Sequence, residues 1–165
     1  MSSQAKPTPE QWLGLLLVTE SARANEWEPI AWVVRNRVAS PRFPHTVEEV
    51  VLQPRQFSRF NDWAESLAEG GPAAVWDAAQ AWLAGRPADL ALLPDATALA
   101  AKVLAAPASA APFGPRVLHY YSPRSMAPPH SVPRWWWREI EREVPLLRID
   151  PNRFRFGESK ERARG

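Results

Sequence analysis

Thr8-Pro9-Glu10-Gln11-Trp12-Leu13-Gly14-Leu15-Leu16-Leu17-Val18-Thr19-Glu20 is the stretch on which the fold class turns. Its opening joins an N-cap threonine, a proline at the first helical position and a glutamine three residues after the cap, so a helix is predicted from there to about residue 24. At about 100° per residue, Leu13, Leu16, Leu17 and Glu20 fall on one face, which sets a carboxylate in an apolar stripe. Working outward, Ile30, Val33, Val34 and Val38 give the inner face of a second helix over 29–38, stopped by Ser40-Pro41. Thr46-Val47-Glu48-Glu49 is a capping box for a short third helix, and Pro54 leaves Gln56-Phe57-Ser58 in a loop. Residues 59–71 read as irregular, Gly71-Pro72 as the start of a helix ending at Gly85, and 96–105 as a helix followed by an Ala/Pro linker to Pro115. Strand formers dominate 117–121; a helix is expected over 135–143 and a hairpin over 146–156 around Pro151-Asn152. Helices first and strands late, without alternation, predict a small α+β domain, mainly helical with an antiparallel sheet towards the C-terminus.

The 165 residues, 45% hydrophobic, are enough for one domain and exclude a disordered chain. Apolar runs such as 15–18 are far below the roughly 20 residues of a membrane span, and the N-terminus has no secretory signal pattern. With no cysteine, disulfide frameworks, thiolate zinc sites and cysteine nucleophiles are excluded together. Of the formal charge of +2, residues 153–165 supply +3, so what precedes them is −1 and nucleic acid is not an expected partner. The organisation expected is a flexible leader over 1–7, one domain over 8–157 and a basic disordered tail over 158–165. A local gathering of Arg116, Arg124, Arg134, Arg138 and Arg142 around Tyr and Trp residues suits an anionic polymer rich in sugars and carboxylates.

Glu20 is the leading chemical candidate, because a carboxylate in an apolar stripe has its charged form disfavoured and so donates protons near neutral pH. The pattern alone favours a plainer role, a salt bridge to Arg23 or another arginine with the stem covering core. His45, His119 and His130 are scattered and form no ligand pair, and there is neither a GxSxG elbow nor a phosphate-cradling glycine loop. No metal and no cofactor is therefore expected. Trp12, Trp32, Trp76 and Trp82 read as core, whereas Trp135, Trp136 and Trp137 cannot all face inward from one helix, so at least one is expected at the surface.

Glu20-Ser21-Ala22-Arg23, Trp32-Val33-Val34-Arg35-Asn36-Arg37-Val38, Phe43-Pro44-His45-Thr46 with Val50-Val51, Gln56-Phe57-Ser58 and Val117-Leu118-His119-Tyr120-Tyr121-Ser122-Pro123 occur in this order. Together with a closing hairpin over 149–156, this series resembles the spore-cortex-lytic type of cell wall hydrolase over about residues 11–157. The resemblance implies a small lysozyme-like fold whose acid is one glutamate at the end of an early helix, the position of Glu20. It further implies lytic transglycosylase chemistry on the glycan strands of peptidoglycan. There one glutamate protonates the glycosidic oxygen leaving N-acetylmuramic acid and then deprotonates that sugar's own C6 hydroxyl, giving a 1,6-anhydro end. Gln56 and Ser58 would offer an amide and a hydroxyl to the sugar, against the alternative of a turn satisfying its own backbone. Tyr120 and Tyr121 are substrate-binding candidates, Tyr121 aligning the glycan or hydrogen-bonding near Glu20, against the alternative of sheet packing; Asn36 and Arg37 are read as structural. The chain departs from the family where a second glutamate usually stands four residues after the first: Ala24 occupies that position, and the next acids are Glu26 and Glu28, implying a contracted or reshaped helix connection.

Competing readings are a hydrolysing muramidase, a non-catalytic peptidoglycan-binding module, a helical interaction protein and, more distantly, an amidase. A hydrolase needs two carboxyls, about 5 Å apart to retain or about 6.5–9.5 Å apart to invert configuration, and no partner stands at a convincing spacing. A monomer acting at the bacterial wall is expected, released as a phage endolysin or supplied as a mature spore or virion enzyme.

Overall fold

The computed structural model describes residues 5–53 and 56–161, Ser58 by its backbone alone. The chain divides into two compact units, Met1–Ala106 and Pro107–Gly165. The first is helical; the second carries a three-stranded antiparallel sheet, so the α+β class expected from the order of elements is the one observed.

In the first unit, α1 (Pro9–Glu20) begins with the expected capping box: Thr8 Oγ1 accepts from the Gln11 N–H, and the Gln11 side chain accepts from the Thr8 N–H. It ends four residues earlier than the sequence predicts, and its apolar stripe is in fact a full circumference, because every residue from Trp12 to Val18 is buried. α2 (Trp27–Ala39), α3 (Val47–Val51) and α6 (Pro87–Ala105) all pack against it, which leaves no solvent face to carry polar residues. Gly14 permits the closest of these approaches. A Cβ there would stand 2.5 Å from Thr97 Oγ1 and 2.8 Å from Thr97 Cα, on the face of α6 that also buries Ala96, Ala100 and Val103.

Two helices are longer than expected. α4 (Ser58–Asn61) and the first half of α5 (Ala64–Ala84) occupy the stretch read as irregular, and α5 kinks at Gly71, whose φ of 73° only glycine adopts readily. The segment from Pro72 to Ala84 is thus a helix of its own beyond that break, beginning where the sequence predicts, and what the sequence missed is the helical stretch before Gly71. Helix α6 runs through Pro94 instead of starting beyond it, since packing on α1 outweighs the one hydrogen bond the proline removes. Of the four tryptophans read as core, Trp12 and Trp32 are buried. Trp76 and Trp82 are only half-buried, Trp76 edge-on to Trp12 at 5.1 Å and Trp82 flanked by the Arg59 and Arg86 guanidinia.

In the second unit, β1 (Val117–Tyr121) has the predicted bounds. The helix expected over 135–143 is instead α7 (Arg134–Glu139) followed directly by β2 (Ile140–Val144), and the hairpin partner is β3 (Arg155–Ser159). The strand order is β1-β3-β2, with Tyr121 opposite Arg155 and Glu143 opposite Gly157. The charged run Glu141-Arg142-Glu143 looks helical in sequence but is held extended by cross-strand pairs: Arg116 with Glu141 and Glu158, Arg142 with Glu158, Arg155 with Glu143. The Arg155 guanidinium holds the Glu143 carboxyl below its usual range.

Part of the stretch expected as a tail over 158–165 is ordered. Glu158 and buried Ser159 belong to β3, and the Lys160 N–H donates to the Glu139 carbonyl; residues 162–165 lie outside the described ones, as does part of the 1–7 leader. No helix among the described residues is long and apolar enough to cross a membrane.

Candidate active site

Glu20 is the last residue of α1 and is half-buried. Its neighbour Ser21 is tied down at every polar atom. Ser21 turns to an extended conformation (φ −154°, ψ 140°) while its N–H still closes the helix on the Leu17 carbonyl at 3.0 Å. Its hydroxyl accepts from the Arg23 N–H at 3.0 Å and donates to Glu26 Oε1 at 2.5 Å, and its carbonyl accepts from Trp27 Nε1 at 2.9 Å. The connection to α2 runs through Ser21–Arg23 into one 3-10 turn, Ala24–Glu26.

Glu26 is 1% exposed, so this acid sits inside the protein, whereas Glu28, the next acid along, lies on the exposed side of α2. Asp62 is exposed and paired with Arg59 at 2.8 Å. Sequence reasoning missed the Ser21–Glu26 pair; the available signal was a hydroxyl directly after a helix end and an acid five residues on, a spacing that only the tight turn closes.

Gln56 is exposed, yet its carbonyl oxygen accepts from Arg37 Nη1 at 2.9 Å. Arg37, 4% exposed, is held between the rings of Phe43 and Phe57, so its structural reading fits, and the Gln56 carbonyl is committed to it. The Gln56 amide NH₂ and the second lone pair of its carbonyl are left for a ligand. Ser58 opens α4; its side chain lies outside the described residues.

Tyr120 and Tyr121 belong to the second unit and, as neighbours on β1, point to opposite faces of the sheet. Tyr120 is half-buried with its ring against Phe154 and Phe156. Tyr121 is 7% exposed, edge-on to Trp136 at 5.1 Å, and its hydroxyl accepts from Arg155 Nη1 at 2.6 Å. Burial and that hydrogen bond leave little of the Tyr121 ring open to a ligand. The aromatic residue the second unit does present is Trp137.

Among the described residues no group of three or more His, Asp or Glu is placed to hold a metal ion. No curated protein and no solved structure matches the chain. The sequence profile of the Cell Wall Hydrolase family matches residues 25–154, a stretch that includes Gln56, Ser58, Tyr120 and Tyr121 and begins five residues after Glu20. A match over so much of the chain establishes that it belongs to the Cell Wall Hydrolase family, enzymes that act on peptidoglycan.

Proposed function

We propose that the protein is a lytic transglycosylase with a lysozyme-like catalytic unit, cleaving the N-acetylmuramic acid to N-acetylglucosamine linkage with Glu20 as the single acid and then base. The observation that carries this reading is the setting of Glu20: a half-buried carboxylate at the end of an otherwise largely buried helix, followed by a residue fixed through four hydrogen bonds. Protonation of the glycosidic oxygen breaks the bond to C1 of the muramic ring; the same carboxylate then takes the proton of that ring's C6 hydroxyl as its oxygen attacks C1. Atoms balance without water, and one carboxyl serves both steps.

A hydrolysing muramidase would need a second carboxylate free to act on water or on the sugar. The next acids after Glu20, and Asp62, are otherwise disposed: Glu26 is enclosed and engaged by Ser21, Glu28 lies on the exposed side of α2, and Asp62 pairs with Arg59. That distribution supports the intramolecular route.

The test is clearing of purified sacculi by the full chain and by Glu20→Gln, with circular dichroism as the folding control. Wild-type clearing and a loss on the order of 10² to 10⁴ in rate for the variant are expected. Equal rates from a native-like variant would remove Glu20 from the chemistry, and no clearing by the wild type would favour a binding module.

A further inference from the structure

Charge is distributed unequally between the two units. Residues 107–165 hold eleven Arg and Lys against six Asp and Glu, a balance of +5, whereas residues 1–106 hold nine against twelve, a balance of −3. Within the second unit the acids are largely spent on the sheet: Glu141 and Glu158 on Arg116 and Arg142, Glu143 on Arg155. Among the described residues no acid pairs with Arg134 or Arg138, both exposed on α7.

Helix α7 divides its three tryptophans. Trp136 is buried beside Tyr121 and Ile140, Trp135 packs against that cluster, and Trp137 stands out at 69% exposure. Positions 134, 137 and 138 share one helical face, so the two unpaired guanidinia flank the exposed indole. A third cation is fixed beside them: Lys160 Nζ donates to the Trp137 carbonyl at 3.2 Å. An indole of this exposure ringed by three cations fits a ligand that offers a flat apolar sugar face and carboxylates within one helical turn, about 6 Å. One isolated tryptophan on a six-residue helix is too small an apolar face for a membrane surface.

We propose that the α7 face, Arg134, Trp137 and Arg138 with Lys160, is an adsorption site for the peptidoglycan wall itself, taking a sugar ring on Trp137 and the carboxylates of the stem peptide on the cations. It rests on the wall as substrate but not on Glu20. The enzyme would thus be held on the polymer by one unit while the other carries the proposed acid.

The experiment is co-sedimentation of the full-length Glu20→Gln protein with purified sacculi freed of lipid and of phosphate polymers, so that adsorption is read without turnover. Trp137→Ala and the Arg134→Gln/Arg138→Gln pair should each weaken adsorption by about tenfold, and the arginine pair should also flatten its salt dependence. Sacculi whose carboxylates have been amidated should bind the unaltered α7 face as weakly as the arginine pair binds native sacculi, an arm that needs no substitution at that face. Wild-type adsorption by both variants, undiminished binding to amidated sacculi, or adsorption only where phosphate polymers or anionic vesicles are supplied would each overturn the proposal. If adsorption behaves as expected but the Glu20 protein never clears sacculi, the catalytic reading fails and this one stands.

Discussion

Ser21 does more for Glu20 than its size implies. Its backbone stops α1, its hydroxyl bridges the Arg23 N–H to the enclosed Glu26 carboxylate, and its carbonyl receives the Trp27 indole, so the residue next to the proposed acid has little freedom to move. Removing that hydroxyl takes a donor from a carboxylate that is 1% exposed, where the loss of a charged hydrogen bond weighs most. Ser21→Ala should therefore lower stability by about 1–3 kcal/mol, read by urea unfolding. A change below about 0.5 kcal/mol, the range of ordinary surface substitutions, would mean that Glu26 is satisfied without Ser21.

At the scale of elements, the crossing of α1 and α6 depends on Gly14. Alanine is the better helix former by up to about 1 kcal/mol, but its Cβ would meet the Thr97 backbone at 2.8 Å, and a backbone cannot turn aside as a side chain does. Gly14→Ala is expected to be net destabilising by about 1–2 kcal/mol, seen as a lower melting temperature; a rise would show that the helices move apart freely. Elements whose cause is local were legible in the sequence: the Thr8 capping box, the Thr46 cap whose hydroxyl accepts from the Glu49 N–H, and β1 with its run of strand formers. Those set by tertiary packing were not. The polar stretch 141–143 extends only because cross-strand partners neutralise it, α6 passes Pro94 because α1 holds it, and Trp12 to Val18 hides on all sides because three helices converge there. In the candidate site, Glu20 stands out in the sequence by its apolar stripe and by the family resemblance, whereas the helix end that it forms was set four residues too late. The burial of Tyr121 and the engagement of Gln56 by Arg37 were not visible, since both partners lie far off in sequence, Arg155 in one case and Arg37 in the other.

For the molecule as a whole, the family assigns the substrate, peptidoglycan, and leaves open which bond is cut and how. A hydrolase adds water and leaves a reducing muramic acid. Attack by the sugar's own C6 hydroxyl leaves a non-reducing anhydro end lighter by one water, and only this route runs on Glu20 with Glu26 enclosed by the Ser21 turn. The direct measurement is mass spectrometry of muropeptides released from sacculi, with and without prior borohydride reduction. The account predicts that most new ends carry anhydro-muramic acid and take up no hydrogen; a majority of ends that are reduced by borohydride would contradict the single-carboxylate mechanism.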